Sequence, residues 1–164
     1  MKIILLSDTH GFIDSAILNY VKECDEVWHA GDFGTMEVSE KLSAVKKLRG
    51  VYGNVDGQKL REIHPLHNRF SCEGFTIWMT HIGGYPGNYD PKIKKLISEN
   101  PPDIFITGHS HILKIMRYKN LNNLLHINPG AAGKEGMHKV RTLVKFELKN
   151  KTIENVMVIE LGSR

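Results

Sequence analysis

Apolar runs alternate with helical stripes along the first third of the chain. Residues 2–7 predict a buried strand, followed by a turn at Asp8–Gly11. Ile13, Ile17, Leu18 and Val21 then mark one side of a helix. Residues 27–30 make a second buried strand that ends at Gly31-Asp32. From Thr35 to about Leu48 the stripe Val38, Leu42 and Val45 predicts another helix, and residues 50–52 predict a short third strand ending at Gly53-Asn54. This alternation argues for parallel strands joined by right-handed crossovers.

The middle of the chain changes period. Arg69–Cys72 and Phe75–Thr80, split by Glu73-Gly74, predict a hairpin. Residues 83–87 (Gly-Gly-Tyr-Pro-Gly) predict an open loop. Pro91 to Asn100 predicts a helix with Ile93, Leu96 and Ile97 inward, stopped by Pro101-Pro102. Residues 103–107 make another buried strand. Beyond it the pattern is β: residues 112–118 and 124–127 flank a turn at Asn120–Asn123, and a small-residue loop follows Asn128-Pro129-Gly130. Val140, Thr142, Val144, Phe146 and Leu148 alternate with Arg141, Lys145 and Glu147, and residues 152–161 alternate likewise, predicting a terminal hairpin with one buried face. No repeat, linker or low-complexity tract interrupts the chain, so a single domain over residues 1–164 is expected. Its predicted class is α/β, a four-layer α/β/β/α sandwich of two mixed sheets flanked by helices.

Composition narrows the function. With 164 residues, 41% hydrophobic and 24% charged, the chain suits a globular domain with a sizeable core. The first apolar run is too short for a signal peptide and Asp8 interrupts it, and no stretch is long enough to span a bilayer. A cytoplasmic protein with no membrane partner is expected. Cys24 and Cys72 are isolated thiols, read as packing residues rather than a disulfide or zinc pair. The net charge of +4 is mild and lacks basic blocks interleaved with aromatics, which leaves dedicated nucleic-acid binding unsupported.

Five polar motifs, each just after an apolar run, carry the chemistry: Asp8-Thr9-His10, Gly31-Asp32, Gly53-Asn54-Val55-Asp56, Thr80-His81 and Gly108-His109-Ser110-His111. Asp8 and His10, two apart in a turn, can converge on one ion. Asp32 has two carboxylate oxygens and can bridge two cations. The Asn54 amide oxygen can bind metal while its NH2 touches a phosphate oxygen. His109 and His111 share a side of an extended tip, and with His81 add three imidazoles. Each motif alone reads equally as a turn or a helix cap; together they predict a metal site built from Asp8, His10, Asp32, Asn54, His81, His109 and His111. His64, His67, His126 and His138 are assigned to the surface or to polar packing. His29, three residues before Asp32, is expected to hydrogen-bond near the site.

In this order the motifs resemble those of the calcineurin-like metallophosphoesterases: D-x-H, G-D, G-N-x-D or G-N-H-E, H and G-H-x-H, over roughly residues 8 to 111. The short uncapped chain, and Asn128-Pro129-Gly130, are similar to that family's small bacterial and archaeal phosphodiesterase branch. The resemblance implies the same four-layer sandwich. It also implies one metal on Asp8, His10, Asp32 and His111, and a second on Asp32, Asn54, His81 and His109. One departure matters: Val55 stands where many relatives have the His assigned to the leaving-group proton, and Asp56 is left to order a neighbouring ligand.

The expected activity is that of a dinuclear-metal phosphodiesterase. A metal-bridging hydroxide would attack phosphorus in line, with Asn54 and His109 offsetting charge on the phosphate oxygens and Asp32, Asn54 and His109 as the catalytic set. Oxygen and imidazole ligands without thiolate predict two divalent ions, Mn²⁺ first, with Ni²⁺, Fe or Zn²⁺ compatible. The expected substrate is a phosphodiester small molecule or nucleotide; Tyr85 and Tyr89 in residues 83–90 are read as loop packing, with a stacking surface as the alternative. The competing function is a non-catalytic interaction scaffold, similar to a eukaryotic retromer subunit of this fold and size.

Overall fold

The computed structural model describes all 164 residues. In chain order the elements are β1 (Lys2–Leu6), α1 (Ser15–Lys22), β2 (Glu26–His29), α2 (Met36–Val45), β3 (Lys47–Gly50), α3 (Gln58–Ile63), β4 (His67–Cys72), β5 (Phe75–Thr80), β6 (Gly84–Tyr85), β7 (Asn88–Tyr89), α4 (Pro91–Glu99), β8 (Ile104–Ile106), β9 (Leu113–Tyr118), β10 (Leu124–Pro129), β11 (Val140–Lys149) and β12 (Thr152–Ser163). Helix starts follow local chemistry. Asp14 caps α1 by accepting from the Ile17 N–H at 2.9 Å, and Asp90 caps α4 ahead of Pro91.

Two mixed five-stranded sheets result, ordered β12-β11-β1-β2-β3 and β4-β5-β8-β10-β9. In the first, β1, β2 and β3 run parallel; in the second, β5, β8 and β10 do. Three apolar clusters separate the layers. Ile3, Leu5 and Trp28 face Ile77, Met79, Ile106 and Ile127 between the sheets. On the outer face of the first sheet, Ile4, Leu6 and Val27 meet Ile17, Val38 and Leu42 of α1 and α2. On the outer face of the second, Trp78 and Phe105 meet Ile93 and Ile97 of α4. Each fully buried aliphatic or aromatic side chain in these layers contributes about 1.5–3 kcal/mol. Cys24 and Cys72 are buried, unbridged members of two of the clusters. No helix is long and apolar enough to cross a membrane.

Several local expectations need correction. The second helix ends at Val45 instead of continuing to Leu48, and the third strand is Lys47–Gly50, not residues 50–52. Lys47 and Arg49 flank β2 and bind the buried Glu26 carboxylate at 2.8 and 2.7 Å, a long-range pairing that pulls a helix-like stretch into an edge strand. Helix α3 has one buried residue, Leu60, too few to make a stripe. The loop over residues 83–87 folds back as the β6–β7 ribbon. Leu96 of α4 faces solvent. In the terminal hairpin β11 is covered on both faces, whereas β12, the sheet edge, is mostly exposed.

Parallel strands of both sheets end on one side of the molecule. The segments that follow β1, β2, β3, β5 and β8 carry the five polar motifs, so the sandwich gathers them at the carboxyl ends of its strands, the usual crevice for ligands in open α/β sheets.

Candidate metal centre

The structure gathers the predicted acids and histidines into two trios. Asp8, His10 and His111 form one, and Asp32, His81 and His109 the other; the ligand atoms of each trio lie within 4.8 Å of one another. Nε2 of His111 lies 3.2 Å from Asp8 Oδ1 and 3.3 Å from His10 Nε2. Asp32 sits between the trios: its Oδ2 is 3.2 Å from His81 Nε2 and 3.9 Å from His10 Nε2. Its other oxygen, Oδ1, accepts the Val55 N–H at 3.0 Å. Asn54 lies in the loop after β3 and lines a cavity with His81.

Backbone strain marks the same residues. Asp8, His10, Asp32, His109 and His111 all have positive φ, between 47° and 66°. Non-glycine residues rarely adopt this conformation, and it clusters where function needs it. Two glycines make room. A Cβ at Gly53 would run into Asp32 Oδ1, and a Cβ at Gly108 into Ser7 Oγ, with Asp8 Oδ2 only 3.0 Å away.

Hydrogen bonds fix which atoms face inward. The Nδ1–H of His81 donates to the Ala30 carbonyl at 2.8 Å, so its Nε2 lone pair points at the carboxylates. Asp8 Oδ2 accepts the His109 N–H at 3.1 Å. Asp8 Oδ1 and His81 Nε2 are buried and have no hydrogen-bond partner. Leaving such atoms unpaired costs about 1–3 kcal/mol each, and both aim into the space between the trios. Buried, unpartnered oxygen and imidazole donors without thiolate suit borderline and hard divalent ions. The residues present fit a metal pair.

Charge reinforces this. Burial opposes protonation of His81, but the nearby Asp32 and Asp8 carboxylates raise its pKa on balance. The Asp8 carboxylate beside it, against burial, raises that of His111. Burial works against the ionised form of Asp32, but His81, the Val55 N–H and His10 hold its carboxyl below the usual range. The pocket therefore seeks positive charge.

Three supporting residues complete the centre. His29 is buried and accepts the Gly31 N–H on Nδ1 at 3.2 Å, leaving Nε2 2.9 Å from Thr9 Oγ1; it ties the first two motif loops together, as its position predicted. Burial, with His64 and His81 nearby, pushes its pKa well down. Asp56 orders backbone rather than a ligand side chain, accepting from the Gly53 and Gly34 N–H groups at 2.8 Å each. His138, assigned to the surface or polar packing with no ligand beside it, has Nδ1 3.2 Å from His111 Nδ1. Its Nε2–H donates to the Gly133 carbonyl at 3.0 Å, so its Nδ1 accepts and the His111 Nε2 is freed for the site. A contact spanning 27 residues, with β9 and β10 between the partners, leaves no periodic trace in sequence. Two of the others pack as assigned, His64 bonding Ser39 and His67 bonding Thr80; His126 departs from the assignment, being fully buried against Phe105 with neither ring nitrogen hydrogen-bonded. Tyr89 packs on Phe105 and Tyr118, whereas Tyr85 is exposed beneath Lys114.

Comparison with known proteins agrees with this geometry. A protein of Methanothermobacter thermautotrophicus named "Probable metallophosphoesterase" is 27% identical over 136 residues, covering 80% of this chain and 77% of that one. The crystal structure of zinc-complexed Vps29 from Entamoeba histolytica superposes with a TM-score of 0.75 at 17% identity over 98% of both chains. A structure described as a novel archaeal phosphodiesterase superposes at 0.70 with 21% identity, over 97% of this chain and all of that one. These two likenesses establish the fold. The model of the calcineurin-like phosphoesterase superfamily domain matches residues 1–151, and the chain belongs to that family.

Proposed function

We propose that this phosphoesterase is a phosphodiesterase with a dinuclear metal centre. The observation that carries the reading is Asp32 Oδ2, placed within 3.9 Å of a histidine from each trio. Asp8, His10, Asp32 and His111 would hold one ion, and Asp32, Asn54, His81 and His109 the other. Divalent ions held by these residues would supply polarisation of the phosphoryl oxygens and a hydroxide nucleophile near neutral pH. Mn²⁺ is the ion we propose first, with Ni²⁺, Fe and Zn²⁺ suited to the same donors.

The chain's own groups position the ester. Asn54 offers an amide NH2 to a phosphate oxygen, and His109, the exposed member of its trio, offers a ring N–H. Burial and His81 lower the His109 pKa, which keeps a neutral ring available. Diesters fit better than monoesters on two grounds. Cavities of about 310 and 280 Å³ flank the centre, one beside Asn54 and His81, the other beside His109 and Ser110, giving room for two substituents. Two divalent ions less the two carboxylates of Asp8 and Asp32 leave two positive charges. A hydroxide and a diester monoanion match that charge, whereas a hydroxide and a monoester dianion exceed it. A small diester or nucleotide is the proposed substrate, and the cytoplasm the proposed site of action.

Hydrolysis of bis-p-nitrophenyl phosphate by metal-stripped protein, titrated with Mn²⁺, Ni²⁺, Zn²⁺ and Mg²⁺ beside Asp32→Asn, tests the reading. Metal-dependent turnover that the variant loses is expected. Tight metal binding without turnover on any ion would favour the scaffold reading.

A further inference from the structure

The larger of these cavities contains a cation with no acid to pair with. Arg61, on α3, donates from Nε to the Asp56 carbonyl at 2.7 Å and from Nη2 to the Asn54 carbonyl at 3.2 Å. Its guanidinium lies 4.9 Å from the Tyr52 ring centroid. Both hydrogen-bond partners are neutral carbonyls, and no carboxylate lies within 4.0 Å of it. The acid that shares the cavity, Asp90, already accepts the Lys92 N–H at 2.9 Å as the cap of α4. A guanidinium has five N–H donors, and two are used here, so three remain. They are carried by a group clamped to the carbonyl of Asn54 itself. The walls of the cavity include apolar Leu66 and Ile82.

We propose that Arg61 binds the departing oxygen of the phosphodiester and that this cavity holds the leaving group. The proposal rests on the phosphodiesterase reading. In the step, a hydroxide oxygen forms the new P–O bond while the P–O bond to the leaving group breaks. The electron pair of that bond stays on the departing oxygen. Arg61 stabilises this anion with charge-assisted N–H···O⁻ hydrogen bonds, keeps its own protons, and the departing oxygen later takes a proton from water. Charge on that oxygen grows with the basicity of the leaving group, so Arg61 matters most for poor leaving groups. Val55 has no proton to give, and Arg61 on the adjoining helix α3 offsets the charge of the departing oxygen without giving one.

The test compares wild type, Arg61→Met and Arg61→Lys, all Mn²⁺-loaded, on methyl aryl phosphate diesters running from p-nitrophenyl to unsubstituted phenyl. Arg61→Met is expected to lower kcat/KM on every ester, by less than about tenfold for p-nitrophenyl and about 10²-fold for phenyl. Arg61→Lys is expected to fall between, and both variants to keep wild-type metal content. An equal loss across the series, or loss of bound metal, would mean that Arg61 only holds the Asn54 loop, and would overturn the proposal. So would no loss at all. Wild-type protein inert on every ester with every ion would remove the phosphodiesterase reading itself, an outcome visible without either variant.

Discussion

Oδ2 of Asp32 lies 3.2 Å from Nε2 of His81, and both atoms are buried. His81 cannot turn away, because its Nδ1–H is held by the Ala30 carbonyl. Asp32 cannot turn away either, because Oδ1 accepts the Val55 N–H. Asp32→Asn keeps the shape and removes the charge. Metal affinity should fall by at least the roughly 10–100-fold that loss of a mere outer partner costs. Metal content per chain after dialysis checks this, and full occupancy in the variant would count against a bridging Asp32.

His138 is a supporting residue outside the motifs. His138→Ala leaves the His111 Nδ1–H without its acceptor and the ring free to rotate. Metal affinity is expected to drop about 10–100-fold, with Asp8 and His10 still in place. Competition titration against a chelator measures it; an unchanged affinity would show that His111 needs no such brace.

Gly53 packs against the Asp32 carboxylate. A methyl group at this position overlaps Asp32 Oδ1 and crowds the Asp32 backbone N. Gly53→Ala should therefore cost about 1–3 kcal/mol in urea denaturation and weaken metal binding as well. A variant as stable as wild type, with unaltered binding, would mean that the loop yields freely.

Val55 is 48% exposed, so a larger polar side chain fits there without burial. Val55→His should raise hydrolysis of dialkyl phosphates, up to the roughly 10²–10⁴-fold that general acid help supplies. The gain should be small on p-nitrophenyl esters, which need no proton. Equal rates for variant and wild type on alkyl diesters would reject the account of the missing acid.

His126 predicts an acid limb in stability. It has no exposed surface, and burial, with Lys114 adding repulsion, lowers its pKa to about 4. An unfolded His titrates near ~6.5. Between these values the unfolded chain takes a proton that the folded chain refuses. The stability from a neutral His126 is thus complete above about pH 6.5 and is lost as the pH falls through about 4, a total of about 3 kcal/mol. In His126→Leu the urea midpoint should fall less between pH 7 and 4.5 than in wild type. Parallel pH profiles would rule this out.

Much of the centre was legible because its residues follow apolar runs directly. Asp8, Asp32, His81 and His109 each come within three residues of the end of a buried strand, so the polar break in an apolar pattern exposes them. Arg61 and His138 were not legible as parts of the site. One lies on a six-residue helix with a single buried position, the other in a loop, and neither sits in a motif. The strand at Lys47–Gly50 was misplaced for a related reason: its ordering partner, Glu26, is 21 residues upstream of Lys47, and a local pattern does not encode that pairing.

The sequence by itself determined the layered class, the order of strands and helices through the first third, and which acids and histidines the structure gathers into the two trios. These depend on short-range periodicity and on which side chains carry lone pairs. Tertiary structure decided how the donors meet. Asp8 and His111 are 103 residues apart in the chain, yet their ligand atoms lie 3.2 Å apart. Only the packing of two sheets brings the ends of β1 and β8 to one rim, and only there do five left-handed backbone turns aim carboxylates and imidazoles at a shared space.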